Sequence, residues 1–193
     1  MGASCDCKLL VFIILFGASS SAAAAGVSKD PDDVAKWVHK TQFAKQKVTK
    51  LHFFFHDTTS GENPTTLPIA KSAVSGNNSL GAFGTLSMAD DPLTVDPRVN
   101  STTIGYARGL YGVDGRKDMG MVMAMNFVFT SRKYNGSTLA MVGHNAATES
   151  PREMPILGGT GLFRLARGVA IANTYYSKGF DAIVEYNVAF LHY

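Results

Sequence analysis

Among the side chains able to move protons, three stand out: Asp57, which ends the aromatic run LHFFFH, Tyr111, and Arg152. Each also has a plainer structural reading, as a turn acid, a core tyrosine, and a surface arginine paired with Glu149 or Glu153. The five histidines, His39, His52, His56, His144 and His192, show no HxH or HExxH spacing and no Cys/His cluster, so no metal site is expected. There is no G-x-S-x-G elbow, and both cysteines, Cys5 and Cys7, fall at the very start of the chain, which leaves no nucleophile for covalent catalysis. With no flavin or dinucleotide signature either, no cofactor is expected. If the protein takes part in oxidative chemistry, something else must perform the oxidation.

The elements that would position these groups read as strands. In KLHFFFHD, His52, Phe54 and His56 alternate with Leu51, Phe53, Phe55 and Asp57. Met119, Met121, Met123, Met125, Phe127 and Phe129 share one face of another run, either as packed core or as a soft lining for an aromatic ligand. After Arg152, the glycines Gly158, Gly159 and Gly161 surround Thr160 without the G-x-G-x-x-G spacing or the Lys-Ser/Thr of a phosphate cradle. They predict a tight turn or bulge entering a strand from Leu162 to Arg167. That strand would place Arg164 and Arg167 on opposite faces.

Further strands are predicted over residues 82–89, 103–113, 119–130, 137–144 and 182–193, separated by turn sequences including DDPLTVDP, DGRKD and YNGS. The stretch TTSGENPTTLPIAKSAVSGNNSLG reads as a long excursion across the surface or over an opening. A short helix capped by Asp32 or Asp33, with Val34, Trp37 and Val38 on one face, precedes the strands. Seven or eight strands joined by hairpin-length gaps point to one all-β barrel or sandwich.

Lys8, the apolar run from Leu9 to Phe16 and the alanines 22–25 read as a secretory signal peptide, with an apolar run too short to span a bilayer. The expected organisation is a signal over 1–25, a lead-in over 26–48 and a β domain over 49–193. Loss of Lys8 and Asp6 with the signal leaves the net charge at +3, too weak and scattered to argue for nucleic acid. The mature chain then has no cysteine, and it carries sequons at Asn77, Asn100 and Asn135 in turn-rich sequence, where glycosylation is expected.

From Lys50 to Tyr193, the blocks LHFFFHD, FGTLSMADDPLT, YARGLYG, NFVFTSRKYNGSTL, REMPILGGTGLFRLARG and VEYNVAFLHY resemble, in that order, the plant dirigent proteins. The resemblance implies an eight-stranded antiparallel β-barrel similar to the allene oxide cyclases, a homotrimer, secretion to the apoplast and an apolar pocket in each barrel. Members of that family direct the coupling of phenoxy radicals supplied by a separate laccase or peroxidase, and some relatives instead act on closed-shell phenols through quinone methides, as pterocarpan synthases do. Carried over by motif, Asp57 would accept or return a phenol proton, Tyr111 would hydrogen-bond a ligand oxygen, and Arg152 would stabilise charge on a quinone methide oxygen. Tyr106, Arg108, His144 and Asn145 would contact substrate. Tyr106 and Arg108 stand where relatives commonly have Arg and Gln, and Asn145 stands where lignan-forming members have a carboxylate, which implies a phenol outside the lignan group. The expected function is stereocontrol of radical coupling, then quinone methide cyclisation, then phenolic binding without reaction, with no nucleic-acid or membrane partner.

Overall fold

A computed structural model describes residues 27–71 and 83–193; the expected signal over 1–25, both cysteines and Asn77 lie outside the described residues. Helix α1 (Pro31–Thr41) starts two to three residues earlier than caps at Asp32 or Asp33 would place it. Asp30 is the cap, its carboxylate accepting from the backbone N–H of Asp32 at 2.9 Å and of Asp33 at 3.4 Å. Pro31 explains the difference, because a proline with no N–H fits the first helical position, and Asp32 and Asp33 then become the acidic first turn that suits the helix dipole. No residue of α1 is buried.

Nine strands follow: β1 (Lys47–Asp57), β2 (Thr66–Ala70), β3 (Leu86–Thr94), β4 (Thr103–Val113), β5 (Gly120–Phe129), β6 (Thr138–Ala146), β7 (Arg152–Thr160), β8 (Arg167–Lys178) and β9 (Asp181–His192). Every pairing is antiparallel, in the order β1-β9-β8-β7-β6-β5-β4-β3-β2. The sheet closes where β1 also meets β3, through Phe54 opposite Thr94 and Phe55 opposite Leu93. Eight strands thus form a closed barrel, which removes the exposed sheet edge that an open sheet would carry. β2 is the ninth, pairing with the other half of β3 where β1 and β3 part.

Alternation sends one residue in two inward. Phe53, Phe127, Phe163, Tyr186 and Phe190 fill one half of the interior, with edge-to-face contacts such as Phe53–Phe127 at 5.1 Å and Phe163–Phe190 at 4.9 Å between ring centroids. The inner face of β4 carries Gly105, Ala107 and Gly109 opposite Phe129, Phe127 and Met125 of β5, so small residues on one strand make room for large ones on the next.

Three expectations need correction. DDPLT is not a turn but the second half of β3: Asp91 and Leu93 continue the buried series of Ser87 and Ala89, and pairing with both β4 and β1 outweighs the turn preference of Asp and Pro. The long excursion after Thr58 contains β2, held by Thr58 O accepting from Thr65 N and Thr66 N. Residues 162–166 are not a strand. The glycine-rich segment ends β7, and Gly161 (φ 63°) and Leu165 (φ 59°) turn the chain through a short 3-10 helix at Gly161–Phe163 into β8. A Cβ on Gly159 would lie 2.5 Å from Phe163 O, so these glycines are backbone geometry, as expected, but they close one strand rather than open the next. Arg164 leans over the Trp37 ring, its guanidinium 5.4 Å from the centroid, and Arg167 is exposed.

Candidate active site

The half of the barrel not filled by aromatic rings holds a cavity of about 510 Å³, within the size range of sites for drug-sized ligands. Its wall is built from inward positions: Phe55 and Asp57 of β1, Tyr111 of β4, Met121 and Met123 of β5, Asn145 of β6, Arg152 of β7, and Val184 and Tyr186 of β9. The methionine face therefore divides, with Met119, Met121 and Met123 lining the cavity and Met125, Phe127 and Phe129 in the core.

Asp57 and Tyr111 meet directly. Tyr111 Oη donates to Asp57 Oδ2 at 2.9 Å, while Asp57 Oδ1 is buried and has no hydrogen-bond partner among the described residues. Burial raises the Asp57 carboxyl to about 6, against the opposing pull of the Tyr111 hydroxyl. Tyr111 itself is pushed up by burial and then by the charge of Asp57, so it remains a phenol and a donor. The exit from β1 is pinned at the cavity mouth by Asp181, which accepts from Thr59 N at 2.7 Å and Thr59 Oγ1 at 2.8 Å.

Arg152 is 7% exposed and its expected ion pairs with Glu149 or Glu153 do not form. Its Nε donates to Asn145 Oδ1 at 2.6 Å, and its Nη1 donates to Glu149 O at 3.1 Å and Thr174 Oγ1 at 2.9 Å. All three partners are neutral, and no carboxylate among the described residues pairs with it. Burial lowers its pKa from the ordinary arginine value. A cation held by hydrogen bonds through Nε and Nη1 but electrically uncompensated on a cavity wall is poised to receive a developing oxyanion. Asn145 is thus the residue that orients Arg152.

The other expected substrate contacts stand outside the barrel. Tyr106 and Arg108 are outward positions of β4, where the Arg108 guanidinium lies 4.9 Å from the Tyr106 ring centroid and bonds Asp90 Oδ1 at 2.8 Å. His144 is exposed on β6 with Asp114 at 3.6 Å. Parity decides this: Asn145 faces in, so its neighbour His144 faces out. Of the two visible sequons, Asn100 is exposed in the turn before β4 and Asn135 is half-buried in the turn before β6.

Two participants escaped the sequence reading. Tyr186 stacks on Phe53 and lines the cavity, its phenol raised to about 12 by burial. Asp91, fully buried, accepts from the hydroxyls of Thr65 and Thr66 and is raised to about 8 by burial and then by the charge of Asp57. The signal that would have found Asp91 is its shared parity with Ser87, Ala89 and Leu93. Among the described residues no group of three or more His, Cys, Asp or Glu could hold a metal ion, and no helix is long and apolar enough to cross a membrane.

The fold is a closed eight-stranded antiparallel barrel that carries an acid and a buried cation on the wall of an internal cavity. Residues 48–191 match the family model described as Dirigent-like protein, and the chain belongs to the dirigent family. It is 44% identical over 150 residues to Dirigent protein 1 of Arabidopsis thaliana, covering 78% of this chain and 82% of that one. It is also 44% identical over 155 residues to Pterocarpan synthase 1 of Glycyrrhiza echinata, covering 78% and 81%. The solved structure of a pterocarpan synthase dirigent protein superposes with a TM-score of 0.73 at 42% identity, covering 78% of this chain and 87% of that one.

Proposed function

We propose that this protein binds a phenol carrying a benzylic hydroxyl and an internal nucleophilic hydroxyl, and closes it stereoselectively through a quinone methide. The observation that carries this reading is the opposition, across one cavity, of a carboxyl with an unpaired oxygen, Asp57, and a cation without a counter-charge, Arg152. Protonated Asp57 gives its proton to the leaving hydroxyl; the benzylic C–O bond breaks, water departs and the phenol passes its proton to solvent. The internal hydroxyl then attacks the methide carbon. Its proton returns to Asp57, the phenolate takes a proton back from solvent, and the net change is loss of one water. Arg152 stabilises the negative charge on the phenolic oxygen, and Tyr111 holds the Asp57 carboxyl in place through Oδ2. Relatives named as pterocarpan synthases support the same class of chemistry.

A second reading, stereocontrol of phenoxy-radical coupling with radicals from a separate laccase or peroxidase, draws on the methionine-rich wall at Met119, Met121 and Met123. One experiment separates the two. The protein is incubated with a panel of such phenolic alcohols and with monolignols, with and without a one-electron oxidant, and products are resolved on a chiral column. Enantioenriched ring closure without oxidant supports the first reading; excess only with oxidant supports the second, and binding with no altered product ratio refutes both.

In this reading the chain is secreted after removal of residues 1–25, glycosylated at one or more of Asn77, Asn100 and Asn135, and works in the apoplast as a homotrimer. Support for association lies on the outer wall, where Leu67, Met88 and Val142 are exposed.

A further inference from the structure

The pairing of β1 with β3 runs through Phe54 opposite Thr94 and Phe55 opposite Leu93. The ladder stops there, and its register continued by two residues would bring Asp57 across from Asp91. Both are inward positions, since Asp57 follows the core residues Phe53 and Phe55, and Asp91 lies between Ala89 and Leu93. At this point β2 enters between the two strands. The Thr66 hydroxyl meets Asp91 Oδ1 at 3.2 Å and Oδ2 at 3.3 Å, and Thr66 lines the same cavity as Asp57 and Tyr111. Two carboxyls so placed in a buried site cannot both ionise without large cost.

We propose that Asp57 and Asp91 share one proton as a pair near neutral pH, and that Asp91 is the positioning residue that keeps that proton within reach of Asp57. The proposal rests on the quinone methide reading only for what that proton is used for. When Asp57 gives the shared proton to the leaving hydroxyl, both carboxyls are left ionised, and their repulsion makes the site a strong acceptor for the next proton. The ring-closing hydroxyl then restores the proton. The values of about 6 for Asp57 and about 8 for Asp91 agree with a pair holding one proton between those pH values. The surrounding titratable and charged groups are Tyr111 from β4, Tyr186 and Asp181 from β9, Arg152 from β7 and Asp90 on the same strand. Arg152 is held by Asn145, Glu149 O and Thr174 and bonds neither carboxyl.

The test is infrared titration of the carboxylic acid C=O band in the wild-type protein, Asp91→Asn and Asp57→Asn, alongside rate–pH profiles for the phenolic alcohols. The wild type is expected to keep one acid band above pH 7 and to lose its bands in two steps. Asp91→Asn should leave a single step at lower pH, and the alkaline limb of its rate should fall by about one pH unit or more. A wild-type spectrum without an acid band at pH 7 overturns the proposal without reference to any variant. So does a folded Asp91→Asn whose remaining carboxyl titrates unchanged. Should Asp91→Asn not fold, the wild-type spectrum and Thr66→Val, expected to narrow the gap between the two steps, decide it. If the spectra behave as expected and no phenol is turned over, the pair stands and the reading of the reaction has failed.

Discussion

Asp57 and Arg152 do different work and should fail differently. Asp57→Asn keeps the shape and the contact with Tyr111 but cannot deliver a proton, whereas Arg152→Leu removes charge and leaves Asn145 Oδ1 without its donor. Both variants should lower turnover by about 10²- to 10⁴-fold, the range for a positioned acid or base, while near-ultraviolet circular dichroism stays that of the wild type. Wild-type turnover in either variant would remove that residue from the site. Asp91 carries a second consequence. Its folded value of about 8 is raised above the unfolded carboxyl, so the folded state is favoured fully below about pH 4 and loses that advantage as pH rises toward 8. Asp57 acts in the same direction up to about 6, and Asp181, lowered to about 2, acts oppositely, favouring the folded state above about pH 4 and losing that as pH falls. Stability should therefore peak near pH 4–5 and decline by a few kcal/mol, on the order of the linked shift, by pH 8. Urea midpoints at the two pH values measure this. Equal midpoints in the wild type, or an equal slope in Asp91→Asn, would contradict the assignment.

At the scale of elements, alternation was legible where apolar residues enforce it. LHFFFHD gives β1 and the inward Asp57, and the Met/Phe series gives β5, because a one-residue slip would expose the whole set. The fold class followed from these and from the family blocks. What escaped was governed by neighbours rather than by local preference. Asp and Pro in DDPLT read as turn formers, and only pairing with β4 and β1 makes them a strand; Asp91 was lost with it. Beyond Asn173, β8 carries Thr174, Tyr175 and Tyr176 exposed, so no buried face marked it. The same parity that put Asn145 on the cavity should have put His144 outside, and the motif correspondence concealed that. Close strand approach is the least legible feature. Added Cβ atoms on Gly105 and Gly109 would lie 2.3 Å from Val128 O and 2.1 Å from Ala124 O, so β4 can only lie this near β5 without side chains there. Gly105→Val and Gly109→Val should each destabilise the barrel by about 1–3 kcal/mol or more through overpacking. Chemical denaturation reads the effect, and a midpoint equal to wild type in both would show that β4 shifts freely.

For the whole molecule, the outer wall poses the remaining question. Register aligns Leu67 of β2, Met88 of β3, Leu110 of β4, Ala124 of β5 and Val142 of β6 in one row across five strands. Leu67 is 55%, Met88 46% and Val142 41% exposed, and Val122 stands beside them at 43%. Contiguous apolar surface of this kind is costly to leave in water and marks association sites. The row lies outside the barrel while Asp57, Tyr111 and Arg152 face in, so burying it between copies would not touch the cavity wall. The protein is therefore expected to sediment as a trimer at micromolar concentration, and Met88→Lys combined with Val142→Lys to give a folded monomer with turnover per chain near that of the wild type. Analytical ultracentrifugation and the chiral product assay check both parts. A monomeric wild type would refute association through this wall, whereas a charged variant that becomes monomeric and also loses turnover would show that a neighbouring copy supports the site.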